Sequence, residues 1–164
     1  MGICVDELRH WVVRPALKEL GDWNQATENL LLGTAAMESG LGFHLQQTRK
    51  GYGVFQISAK RHNKLWDSYI GLEPELASYV RGCASQRAFL RHPHSELATN
   101  LNYATLIAWM VYRRHQPKMP KYHDDIEALA KLWARYYRKG KSSQTSIFIE
   151  NYDKYVAQAL VSAA

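Results

Sequence analysis

Apolar positions recur at helical spacing along most of the chain. Thr27, Leu31, Thr34, Ala35 and Glu38 make one stripe of a helix predicted over 25–38. Ile126, Leu129, Ala130, Trp133 and Tyr137 make another, over 124–138, with Tyr136 or Tyr137 expected at a cleft where the stripe ends. Further helices are predicted over 5–20, 58–70, 74–91, 95–116 and 144–162. Pro15 is expected to kink or restart the first; Pro74 and Ser95 suit helix starts, and Pro117 ends the fifth. The stretch from Pro117 to Asp125 is the best linker, but it is too short to divide domains. Strand is expected only between Leu41 and Ile57. The class is therefore all-α, or α+β at most, with a small loop or hairpin after the 25–38 helix.

Glu38 closes the nearly unbroken apolar run that begins at Leu30, and Ser39 and Gly40 follow it directly. Its place on the stripe points it inward, where an ionised carboxylate is costly. Gly40 and Gly42 stop the helix, so Glu38 stands in the last turn, where the partial negative charge of the helix end opposes a second anion. Both effects favour the protonated acid, the form a general acid needs. The competing reading is a glutamate at a frayed helix end, turned to water.

No acidic side chain occurs from Ser39 to Trp66, and within that stretch lies Gly51-Tyr52-Gly53-Val54-Phe55-Gln56-Ile57. Its glycines allow a tight turn or a close approach to a ligand, and Gln56 is the polar side chain among Val54, Phe55 and Ile57. Glu38-Ser39 followed by Gly53-x-x-Gln56 resembles the signature of the lytic transglycosylase and goose-type lysozyme superfamily, in which a helix ends in Glu-Ser and Gly-x-x-Gln opens the next. The resemblance extends through Arg14-Pro15-Ala16-Leu17, Leu31 to Gly42, Asn100 to Thr105, Trp133 to Tyr137 and Phe148 to Val156, and it is closest to compact phage-encoded members. It implies a lysozyme-like single domain over 1–164. Glu38 is then the catalytic acid, with Ser39, Gln56, Tyr136 and Tyr137 as substrate-binding residues. Tyr137 stands where the family carries an asparagine, which puts that amide's contact in question.

At 164 residues the chain suits one core. Five Trp and ten Tyr serve a packed core first and sugar stacking second. No apolar run is long enough to span a membrane, and no leader is recognisable, so synthesis in the host cytoplasm is expected; the resemblance implies packaging in a phage particle and delivery to the wall, with release through a membrane pore made by another protein as the alternative. Cys4 and Cys83 read as reduced, partly buried thiols. His92-Pro93-His94 lacks a third ligand at a suitable spacing, which argues against zinc; no cofactor is expected, and serine-nucleophile and nucleotide motifs are missing. The net charge of +6 is concentrated in the second half of the chain. It suits attraction to a polyanionic bacterial envelope as well as to nucleic acid, although no nucleic-acid motif accompanies it.

Three classes of function follow. One is a peptidoglycan-cleaving enzyme acting on glycan strands; another is a particle component that meets other virion proteins and cleaves little; the third is a nucleic-acid binder. For the enzyme, hydrolysis needs a second carboxylate, and the first acid after Glu38 is Asp67, beyond the loop; Glu73, Glu75 or Asp125 could fold in. The resemblance implies the other outcome, in which the 6-hydroxyl of muramic acid closes on its own anomeric carbon.

Overall fold

The structure, a computed structural model, describes residues 2–45 and 51–158. It is mainly helical, with one two-stranded antiparallel hairpin. Helix α1 (residues 5–19) runs through Pro15. A π-helical stretch at Leu8–Val13, in which the Arg14 amide donates to the Arg9 carbonyl five residues back, loosens the ladder just before the ring.

Helix α2, Gln25–Ser39, is the spindle of the molecule. Asn24 caps its start reciprocally with Thr27, and Gly40 (φ 57°) ends it in the left-handed conformation. The predicted stripe understates its burial, because nearly every residue of α2 is enclosed, between α1 and the helices α7, α8 and α9 defined below. Gly33 lets the Phe148 ring press against the helix backbone: a methyl group there would lie 2.5 Å from Phe148 Cζ.

After α2 the chain forms strands β1, Gly51–Tyr52, and β2, Ile57–Ser58, paired Gly51 to Ser58 and Tyr52 to Ile57. Gly53-x-x-Gln56 is therefore the tip of a hairpin and does not open a helix; α3, Ala59–Ser68, starts at its own cap, Ser58. Gly53 (φ 66°) is required at the tip, since a methyl group there would sit 1.9 Å from the Leu97 carbonyl oxygen.

The helix predicted over 74–91 breaks into α4, Pro74–Gly82, and α5, Gln86–Arg91; that over 95–116 breaks into α6, Glu96–Thr99, and α7, Leu101–Arg113. Polar side chains make both breaks. Ser85 caps α5, and its own amide donates to buried Glu96; Asn100 caps α7 while its amide nitrogen donates to Glu96 and to the Cys83 carbonyl. Helix α8, Ile126–Leu132, begins at the Asp125 cap and continues as a π-helical turn, Trp133–Tyr137. Helix α9, Thr145–Tyr152, also passes into a wide turn, Asp153–Ala157; the predicted end at 162 lies outside the described residues. One contiguous apolar core joins these elements, and no helix among the described residues is long and apolar enough to cross a membrane. Both cysteines are free; Cys4 is exposed rather than partly buried, and Cys83 is half-buried.

Candidate active site

Glu38 is 3 % exposed and stands in the last turn of α2 at a cleft of about 400 Å³. The cleft is lined also by Met37, Gln56, Ser58, Arg61, Trp133, Arg138 and Lys141. Trp133 donates its indole N–H to Glu38 Oε1 at 3.0 Å. Arg138 donates from Nε to both carboxylate oxygens at 3.1 Å and from a terminal nitrogen to Oε2. Stripe and glycine stop lead to an acid in apolar surroundings; in the structure a guanidinium lies on it and the two side chains form an ion pair. Arg138 is in turn held more firmly protonated, first by its hydrogen bond to Glu38.

The wide turn at the end of α8 explains why Arg138 escapes a helical reading. At α-helical pitch, Trp133 and Arg138 would point about 140° apart. The Arg138 amide donates instead to the Trp133 carbonyl five residues back, at 3.0 Å, and both side chains reach the same carboxylate. Trp133, assigned by the stripe to the core, belongs to core and site at once. A cation directly after the Tyr-Tyr pair is the one signal that could have pointed to this position.

The two halves of the Glu-Ser and Gly-x-x-Gln signature are joined through backbone. Ser39 Oγ donates to the Val54 carbonyl at 2.6 Å and accepts from the Gly42 amide at 2.9 Å, so its hydroxyl is occupied in binding the hairpin to the helix end. Tyr137 does the same from the other side. It is fully buried, stacked on Tyr112, and donates its hydroxyl to the Phe55 carbonyl at 2.6 Å. The expectation that Tyr137 lines the cleft is thus corrected, because in the wide turn its ring lies inward, and burial pushes its phenol far above its ordinary value. Gln56 does line the cleft. It directly follows the two anchored carbonyls at φ 49°, an uncommon conformation for a side-chain-bearing residue, with Nε2 donating to the Gly53 carbonyl at 2.7 Å. Its Oε1 is buried without a partner among the described residues, an acceptor still to be satisfied.

Tyr136 lies apart from Glu38. Its ring stacks on His115 with centroids 5.0 Å apart, the Arg135 guanidinium covers it, and it lines a neighbouring groove. Asp67, Glu73, Glu75 and Asp125 are likewise not among the residues lining the Glu38 cleft: Glu73 borders a different cavity and Asp125 is occupied as the α8 cap. Among the described residues no group of three or more His, Cys, Asp or Glu side chains is placed to hold a metal.

No protein-family model matches this chain, and comparison with curated proteins and with solved structures returned no match for it.

Proposed function

We propose that this protein cleaves the β-1,4 bond between N-acetylmuramic acid and N-acetylglucosamine in peptidoglycan, as a lytic transglycosylase. The observation that carries the reading is a buried carboxylate at the end of a helix, facing a cleft in which, among the described residues, no second carboxylate is a lining residue. Glu38 protonates the glycosidic oxygen, and the bond from C1 to that oxygen breaks to leave an oxocarbenium-like centre. The 6-hydroxyl of the same muramic acid then bonds to C1 and gives its proton to the Glu38 carboxylate, which regenerates the acid without water. Gln56, a residue lining the cleft, takes the glycan-binding role that the sequence resemblance implies. The acid step needs a protonated Glu38, so the Arg138 guanidinium, whose side chain is 40 % exposed, moves off as substrate enters. Carriage in a phage particle is the delivery route that accompanies this reading, on the strength of the sequence resemblance.

The same guanidinium favours a second reading, a particle component that keeps this fold with Glu38 neutralised and cleaves little. One assay separates the two. Purified protein should clear a suspension of cell walls and release fragments ending in 1,6-anhydromuramic acid, lighter by one water than hydrolytic ends; Glu38→Gln should release none. Clearing by the Gln variant would remove Glu38 from the chemistry. Inert parent protein would favour the particle component, and fragments with only reducing muramic ends would redirect the search to a carboxylate that reaches the cleft on substrate binding.

A further inference from the structure

Beside the Glu38 cleft lies a groove of about 470 Å³, bordered by Lys60, Arg61, Lys64, Arg114, Lys139 and Lys141 and, among the described residues, by no acidic one. The two cavities share Ser58, Arg61, Arg138 and Lys141, so an anion in the groove is continuous with a glycan in the cleft. None of those six cations is in an ion pair among the described residues. The arrangement is unfavourable to the fold by itself. Lys60 and Lys64 stand one turn apart on α3, a like-charge pair, and Lys60 and Arg61 occupy the first turn, where the helix end already carries partial positive charge and no acid offsets them. Burial, and then the Arg61 charge, push the Arg114 guanidinium down from its ordinary value; burial, Arg114 and Lys139 do the same to His115.

We propose that the groove is a carboxylate-binding subsite for the peptide stems borne by muramic acid, so that the substrate is glycan still carrying its stems; this rests on the reading of Glu38 as the glycan-cleaving acid. The stems leave the glycan at muramic acid, beside the bond to be cut, and carry free carboxylates. Charge-assisted bonds from lysine and arginine suit such groups. A nucleic acid would use an open aromatic face for its bases, and the aromatic ring of this groove, Tyr136, is covered by His115 and Arg135.

The test uses Glu38→Gln protein, which binds without cutting, and two labelled probes: soluble glycan strands with their stems, and the same strands stripped by an amidase. Stem-bearing strands should bind about tenfold tighter, with the advantage shrinking as salt rises. Adding Lys60→Glu and Lys64→Glu should abolish the advantage, and Lys60→Gln with Lys64→Gln should reduce it. Lys18→Glu with Lys118→Glu, an equal charge change at two exposed sites outside the groove, should preserve it. Equal binding of the two probes, or an advantage unmoved by the Lys60 and Lys64 changes in folded protein, would overturn the subsite. So would an oligonucleotide that binds tighter than stem-bearing strands through those lysines. If parent protein cuts neither probe while the Gln variant keeps its preference, the subsite stands and the cleavage reading falls.

Discussion

Arg138 and Glu38, 100 positions apart in the chain, meet guanidinium to carboxylate, but they are buried unequally: the Glu38 side chain is 4 % exposed and that of Arg138 40 %. Unequal burial makes the two halves of the pair unequal under mutation. Arg138→Ala takes a contacting cation from a buried carboxylate, whereas Glu38→Gln leaves a guanidinium that can turn to water.

Arg138→Ala should therefore cost about 1–3 kcal/mol, below the 3–5 kcal/mol typical of breaking a fully buried pair, and Glu38→Gln less than about 1 kcal/mol. The Gln side chain can still accept from the Trp133 indole. Combining the two should be less damaging than Arg138→Ala alone, because the buried charge has gone. Urea unfolding of the four proteins checks this, and strictly additive costs would mean that the pair is not coupled.

Tyr137→Phe tests whether that residue serves the hairpin or the substrate. Removing the hydroxyl leaves the buried Phe55 carbonyl without its 2.6 Å partner, which should cost about 1–3 kcal/mol. Wall clearing per folded molecule should stay within about twofold of the parent, since the ring and the backbone it supports remain. Loss of clearing at full stability would return Tyr137 to the substrate.

The helical class was legible because apolar spacing reports it directly, and the Glu38 position was legible because an acid ending a buried run conflicts with its surroundings. Other features depended on distances no local pattern contains. The breaks at residues 83–85 and at Asn100 are made by Glu96 and Asn100 reaching across the fold. The exchange of Tyr137 for Arg138 at the acid comes from a wide helical turn, and a periodicity of 3.6 assigns such a turn to the wrong face. Glu28, accepting from Arg9, Arg14 and Trp23, drew no notice in the sequence because its partners lie in another helix and in the turn ahead of α2.

Gly33→Ala sets helix propensity against packing. Alanine is worth up to about 1 kcal/mol over glycine within a helix. Here the added methyl would meet the Phe148 ring at 2.5 Å and Tyr152 Cδ2 at 3.1 Å, both on α9 and both buried, so neither can swing aside as a surface side chain would. Overpacking should win, with a net loss of about 1–2 kcal/mol. A rise in melting temperature would show that α9 is free to shift.

Acid should weaken the fold from about pH 6.5 downward, and His62 is one reason. The ring is buried between the Tyr103 hydroxyl, 2.7 Å from Nε2, and His94, 2.9 Å away through Nδ1. Trp66 donates to Tyr103, which leaves Tyr103 to donate to His62 Nε2 and His62 to donate from Nδ1 to His94. That chain requires the neutral ring. Burial first, and His94 second, hold its pKa down to about 4, against 6.5 for an ordinary histidine. The unfolded chain takes up a proton that the folded one refuses, so this stability is complete above about pH 6.5 and is lost as pH falls toward 4, by about 3 kcal/mol in all. Glu28 contributes in the next window. Burial alone would raise its pKa, but hydrogen bonds from Arg14, Trp23 and Arg9 outweigh burial and hold it below the usual carboxylate range, so its contribution falls away below about pH 4.3. Chemical denaturation at intervals from pH 7 to 4 should show the first loss, and His62→Gln, less stable at pH 7, should flatten it. An unchanged slope in the variant would assign the acid sensitivity to other groups.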